Sequence, residues 1–367
     1  MSIETLTSTI LREMPDINKW QRDFFQHHLG LFLSLRGRYT YLNFERYGGK
    51  NELTYRNHHA SGFAFRAFNR RLIEKYTGTR RMHAFDPSYI PKSGKHTPGV
   101  GYFWSGCASK AKWGLELCGF ATVDVDANTA LHYFAAQTLP KEGQSLMGFY
   151  RALLRQHLIT RLRNDAVLHY APPPKKAGQK GRPKKYGDRF SARNPDSGQL
   201  ARIAEKEGQR IYAGLVDVKS LQRLVQAALV QELKADGQLK SVRIFICTDL
   251  EFSVHDILPY YKSRFQIEFL YRDAKQHTGL ENSQSRHTKA LEYHFNMSLT
   301  AVSVAKVVHH LSIDKSQRGP FSMADIKTQY FNERMIDSIF EVFANFPNLT
   351  KNHPALQQLY NLGKIAA

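Results

Sequence analysis

The sequence predicts an α/β fold, a mixed sheet framed by helical regions at both ends. Three observations lead to it. Apolar residues recur at helical spacing over 16–35 and 59–76, and the tail from about 290 to 367 reads as helical again. Two strand candidates, 115–124 and 130–137, are joined by the turn-prone Asp124-Val125-Asp126-Ala127-Asn128. A helix pattern over 144–157 and a strand pattern over 158–163 follow this pair, as in a mixed sheet.

In the first stretch, Ile17, Trp20, Phe24, Phe25, Leu29, Leu31, Phe32 and Leu33 keep helical spacing up to a stop at Arg36-Gly37-Arg38. The second, His59 to Tyr76, sets Phe63, Phe65, Phe68, Leu72 and Ile73 against a polar side with Arg66, Arg70 and Arg71. Tyr47-Gly48-Gly49 marks a turn between them. This region is either a small DNA-binding domain or a helical pack with a solvated arginine face. Arg81 to Phe85 reads as a short strand ending at Asp86-Pro87-Ser88, and 91–106 as a loop rich in Gly, Pro, Ser and Lys. Residues 171–196 break the pattern again. Lys175, Lys176, Lys180, Arg182, Lys184 and Lys185 follow a proline triplet, with no acid before Asp188. Like charges and Pro/Gly spacing predict an exposed flexible loop that binds phosphates, and Gly181-Arg182-Pro183 is similar to an AT-hook core. A helix over 220–234, a strand over 242–247 and a long helix over 253–278 complete the central part, with Asp249 and Ser253 as cap candidates.

Composition narrows the function. Among 367 residues, 42% are hydrophobic and 23% charged, which is globular, and the net charge of +20 points to a polyanionic partner, most often nucleic acid. No run approaches the ~18 apolar residues of a membrane helix, and neither a membrane partner nor a signal peptide is expected. Cys107, Cys118 and Cys247 are too scattered for a disulfide framework and form no C-x-x-C pair, so the expected compartment is a reducing cytosol. The histidines, including His58-His59 and His309-His310, show no ligand spacing.

The chemistry concentrates in 261–275. At ~100° per residue, with Tyr261 at zero, Arg264 falls at about 300°, Glu268 at about 340° and Lys275 at about 320°. One acid and two cations thus share a stripe with Tyr261, flanked by Phe265, Ile267, Phe269 and Leu270. An intrahelical Arg264–Glu268 pair would contribute only ~0.3–0.5 kcal/mol. The apolar flanks favour a buried helix that presents this stripe to a site.

Tyr261, Arg264, Glu268 and Lys275 reproduce the Y-x2-R-x3-E-x6-K signature, and the chain resembles DDE transposases of the insertion-sequence-four type over about residues 81–310. The surroundings are similar too: Phe265-Gln266-Ile267-Glu268, Tyr271-Arg272-Asp273-Ala274-Lys275-Gln276-His277, Gly279-Leu280, Cys247-Thr248-Asp249-Leu250 and Pro91-Lys92-Ser93-Gly94. The resemblance implies an RNase H-like mixed sheet core with an insertion, flanked by helical N- and C-terminal regions. The implied map is a helical N-terminal domain (1–80), the first part of the core (81–165), an insertion with a basic loop at 171–187 (166–250), the Glu helix with the last part of the core (251–310), and a helical C-terminal region (311–367). It implies metal-dependent cleavage and strand transfer at insertion-sequence ends, with Asp86 and Glu268 as catalytic acids on two Mg²⁺ (or Mn²⁺) ions. Tyr261, Arg264 and Lys275 would hold DNA phosphates. The implied partners are double-stranded DNA, as terminal inverted repeats and target, and a second copy of the chain when ends are paired. The implied setting is a bacterial-type, nucleoid-associated cytoplasm.

One acid is missing from this pattern. Between Leu139 and His157, where the family carries a strand ending in Asp, stand Glu142 and room for one helix. This is the mark of an internal deletion. Two readings follow. Strand 158–163 could occupy the vacated place beside the Asp86 strand, with Asp165 as surrogate ligand. Otherwise the chain is an inactive DNA-binding remnant. Asp124, Asp126 and Asp249 read as turn and cap residues.

Overall fold

The computed structural model describes residues 2–139, 157–172, 182, 184–196, 198–206, 208–314, 316–345 and 353–354. Among them the elements run α1 (Ile3–Arg12), α2 (Lys19–Ser34), α3 (Tyr41–Gly48), α4 (Glu52–Ser61), α5 (Phe65–Tyr76), β1 (Arg81–Pro91), β2 (Gly101–Ser105), β3 (Lys110–Asp124) and β4 (Thr129–Gln137). After these come β5 (Ile159–Leu162), β6 (Leu168–Tyr170), β7 (Ala201–Lys206), β8 (Gln209–Val218), β9 (Arg223–Leu233), β10 (Leu239–Cys247), α6 (Val254–Ser263), α7 (Gln266–His277), α8 (Thr288–Ser312) and α9 (Met323–Asn345). This is a mixed α/β protein with antiparallel sheets. It divides into two units, one of residues 1–146 and 266–367, the other of 147–265. No described helix is long and apolar enough to cross a membrane.

In the first unit, β3 is the spine of a four-stranded sheet. Its N-terminal third pairs with β2, and from Leu117 to Asp124 it lies between β1 and β4. Helix α8 is buried from Ala290 to Val308 at every position but Glu292, as expected of a helix at the centre of a core, and its buried polar groups are bonded, Asn296 to Ala135 and Thr300 to Asn69. Around it one hydrophobic cluster joins Phe25, Phe32 and Phe68 of the N-terminal helices, Leu117 and Val123 of β3, and Leu270 of α7. The expected 1–80 region therefore belongs to the same unit as the strands that follow it. Asn18 and Gln21 form a reciprocal cap at the start of α2, so the helix begins a turn later than the apolar spacing suggests.

The second unit is a six-stranded antiparallel sheet in the order β5-β10-β9-β8-β6, with β7 also on β8. Helix α6 packs on it through Ile257, against Val230 and Phe245.

The structure departs from the sequence pattern at five places. The helix expected over His59–Tyr76 is two, α4 and α5, because Gly62 adopts φ +80°. The loop expected over 91–106 contains β2, drawn into a ladder by β3. The strand expected to end at Asp86 continues to Pro91, so Asp86 sits mid-strand. The helix expected over 220–234 is β9. It lies between β8 and β10, with Ala227 and Leu229 buried on one face and Ala228 and Val230 on the other. A strand covered on both faces is a continuous apolar run, which periodicity alone does not tell from a helix. The long helix over 253–278 is interrupted at Arg264 and Phe265, whose amides bond to Tyr261 and Lys262 three residues back. The helix expected over 144–157 lies outside the described residues except for His157, which is not helical.

Candidate active site

Asp86 lies at the middle of β1, directly opposite Gly119 of β3. Opposed residues in an antiparallel pair share a face. On this face β1 carries Ala84, Asp86, Ser88 and Ile90, and β3 carries Ala121, Gly119, Leu117 and Leu115. Their apolar members belong to the core shared with the helices. Asp86 is thus an acid on the helix-facing side of the sheet.

Helix α7 lies against that face. Its Tyr271 hydroxyl donates to the Asp86 carbonyl at 3.0 Å. Burial, and secondarily the negative charge of Asp86, push this hydroxyl well above its usual range, so it remains a donor. Gly119 makes the approach possible, since a Cβ there would stand 1.9 Å from the Tyr271 hydroxyl oxygen. One turn further along, Lys275 Nζ donates to the Tyr89 carbonyl at 2.9 Å and lies 3.2 Å from the Glu281 carboxylate. Glu268 sits one turn before Tyr271, ~60° from it around the helix. The structure therefore brings Asp86 together with the side of α7 that carries Glu268. Lys92 closes this end, donating to the carbonyls of Glu281 at 3.0 Å and Ser283 at 2.6 Å. Burial lowers Lys92 to about 8, partly opposed by the Glu281 charge.

The four signature residues do not share one helical stripe. Glu268 and Lys275 are on α7 in the first unit, whereas Tyr261 and Arg264 belong to α6 and its end in the second. The ~100° progression holds within each helix and not across the interruption at 264–265. Within the second unit, Tyr261 packs edge-on against Phe245 of β10 at 4.8 Å, and the Arg264 guanidinium lies 5.8 Å from the Tyr261 ring centre.

Asp165 belongs to the second unit, in the turn that follows β5. Strand β5, which precedes it, is bonded to β10 with Ile159 opposite Cys247 and Leu162 opposite Ile244, and its ladder and apolar contacts are satisfied there. The Asp165 carboxylate pairs with Arg163 at 3.2 Å, and both side chains are exposed. Among the described residues, β1 is laddered to β3 alone, and no three His, Cys, Asp or Glu side chains converge to hold a metal ion. Asp124 accepts from the amides of Gly78, Asp126 and Ala127, so it is a turn residue as expected.

Of the basic loop, Arg182, Lys184 and Lys185 are described and exposed, with Lys185 Nζ 5.3 Å from the Tyr186 ring centre. Lys175, Lys176 and Lys180 lie outside the described residues. The sequence reading missed Gly119; a lone glycine inside an apolar strand was the available signal of a close approach. No protein-family model matches the chain, and no curated protein matches its sequence.

Proposed function

We propose that this chain is a DNA transposase of the insertion-sequence-four type, with an RNase H-like core, that binds double-stranded DNA at insertion-sequence ends and acts as a pair of chains on paired ends. The observation that carries this is Asp86, presented from the helix-facing side of β1 to the helix that bears Glu268. The matched signature spacing and the charge of +20 support it. Two carboxylates on facing elements suit one hard divalent ion that keeps its waters. A two-ion centre for phosphodiester cleavage requires a further acid. Among the described residues no third acid converges with these two.

That same shortfall favours a second reading, in which the chain recognises DNA ends without cutting them. Nicking of a labelled duplex carrying the DNA that borders this coding sequence separates the two, in Mg²⁺ and in Mn²⁺, with Glu268→Gln beside the wild type. Cleavage that Glu268→Gln abolishes, with binding retained, supports the transposase. Binding without cleavage in either metal supports the remnant. Failure to bind any DNA sinks both.

A further inference from the structure

Lys306 of α8 is a buried cation that the candidate active site does not use. It is 8% exposed and lines an open cleft of about 780 Å³ within the first unit. The cleft lies between α7, the start of β4 and the end of α8. Phe269 and Asp273 are its α7 wall. Each is two residues from Tyr271, so both lie ~160° around the helix from the side that meets Asp86. An ammonium has three N–H donors. Among the described residues Lys306 makes one hydrogen bond, to the Ala130 carbonyl at 3.3 Å. Its Nζ also stands 5.8 Å from the Phe321 ring centre. Burial lowers Lys306 to about 8, a shift that the Asp273 charge opposes and the Arg272 charge adds to. The group is therefore mostly charged at pH 7, and a buried charge is costly until it is paired.

The acids of the cleft are engaged elsewhere. Asp273 accepts from Arg272 at 3.0 Å and Asp126 from Arg80 at 2.7 Å, while Asp124 accepts from the amides of Gly78, Asp126 and Ala127. Arg318 adds a second cation, bonded to the carbonyls of His310 and Ile313. Leu131, Phe269, Pro320 and Phe321 supply apolar lining. Small-molecule sites have this build: about 300–1,000 Å³, mostly apolar walls and a few placed polar groups. An inorganic ion would meet the lysine and leave the apolar walls wet, whereas an anion with an apolar body satisfies both. We infer that this cleft binds a small organic anion, its charged group on Lys306 and its apolar body against Leu131, Phe269 and Phe321. The site adds a ligand that the DNA-binding reading neither requires nor supplies.

Two fluorescent probes of similar shape test this on the full chain. One is 8-anilinonaphthalene-1-sulfonate, an aromatic anion; the other is N-phenyl-1-naphthylamine, its uncharged counterpart. Both brighten on leaving water. The wild type is expected to bind the sulfonate saturably, one per chain, and more tightly than the amine. Lys306→Met removes the charge and keeps an apolar side chain of similar reach, so the fold is retained. It should weaken the sulfonate by about ten-fold or more and the amine by less than about two-fold. Thr129→Trp does not touch the lysine. Thr129 lines the cleft on the same face of β4 as Leu131, so the ring fills the space and should weaken both probes by about ten-fold. No saturable sulfonate binding overturns the inference. So does sulfonate binding that Lys306→Met leaves unchanged, or an equal loss of both probes in that variant. Sulfonate binding that survives Thr129→Trp places the probe elsewhere on the chain and also overturns it. None of these outcomes bears on DNA binding, which the nicking assay reads separately.

Discussion

The Tyr271 hydroxyl donates to the Asp86 carbonyl at 3.0 Å, over a strand position where any Cβ would collide with it. This contact seats α7 on β1 and sets which side of the sheet Asp86 serves. Tyr271→Phe should destabilise the protein by about 1 kcal/mol, the usual net value of a buried hydrogen bond. Gly119→Ala should destabilise it by about 1–3 kcal/mol through overpacking. The double variant should lose less than the sum, because removing the hydroxyl leaves the nearest ring atom 2.8 Å from the new Cβ instead of 1.9 Å. Urea melts of the four proteins measure this, and strict additivity would contradict the contact.

Lys275 is shared between the Tyr89 carbonyl and the Glu281 carboxylate. Glu281→Gln should lower stability by up to about 1 kcal/mol, as both side chains are partly exposed. By releasing the lysine it should also tighten DNA binding. Lys275→Gln should weaken DNA binding and reduce the salt slope by about 1. If Lys275→Gln moves the melting curve but not the salt slope, the lysine is structural only.

The first unit buries a group of neutral imidazoles. His28 and His59 meet Nε2 to Nε2 at 2.8 Å, which requires one to donate and the other to accept. Burial first, and their neighbouring histidines second, lower both well below 6.5. Burial lowers His132 and His294 to about 4 as well. An unfolded chain takes up these protons near pH 6.5 and the folded one does not. Stability is therefore full above about pH 6.5 and falls as the pH drops toward 4, on the order of 1 kcal/mol per pH unit for each imidazole. Thermal melts between pH 7.5 and 4.5 should show a steep decline, and a flat profile from 6.5 to 5 would contradict it.

Neutralising Lys175, Lys176, Lys180, Arg182, Lys184 and Lys185 together should flatten the salt dependence of DNA binding by up to about 5 in slope. Affinity measured from 50 to 300 mM salt tests this. An unchanged slope takes the loop out of the DNA interface.

Much of the fold was legible residue by residue. Strands β3, β4, β5 and β10 fall where alternation and turn signals put them, and α2 and α7 lie within their expected helical spans. The two helices carry one helical period, whereas β3, β4 and β10 are buried on both faces and are marked by the turn signals that bound them. The rest was not legible for definite reasons. Asp86-Pro87-Ser88 carries turn chemistry, but an eleven-residue pairing with β3 runs through it. Residues 223–233 suit either period, and neighbours on both edges make them a strand.

The sequence by itself determined the chemical inventory: the signature spacing, the short interval between Leu139 and His157, the basic loop and the charge. Only the tertiary structure decided how the inventory is shared out. It joins Asp86 to α7 through Tyr271 and Gly119, ends α6 before α7 begins, and commits β5 to β10. The physical reason is that spacing along a chain fixes neighbours only within one regular element. Which faces and edges then meet depends on where apolar surface and backbone hydrogen bonds are best satisfied by segments distant in sequence.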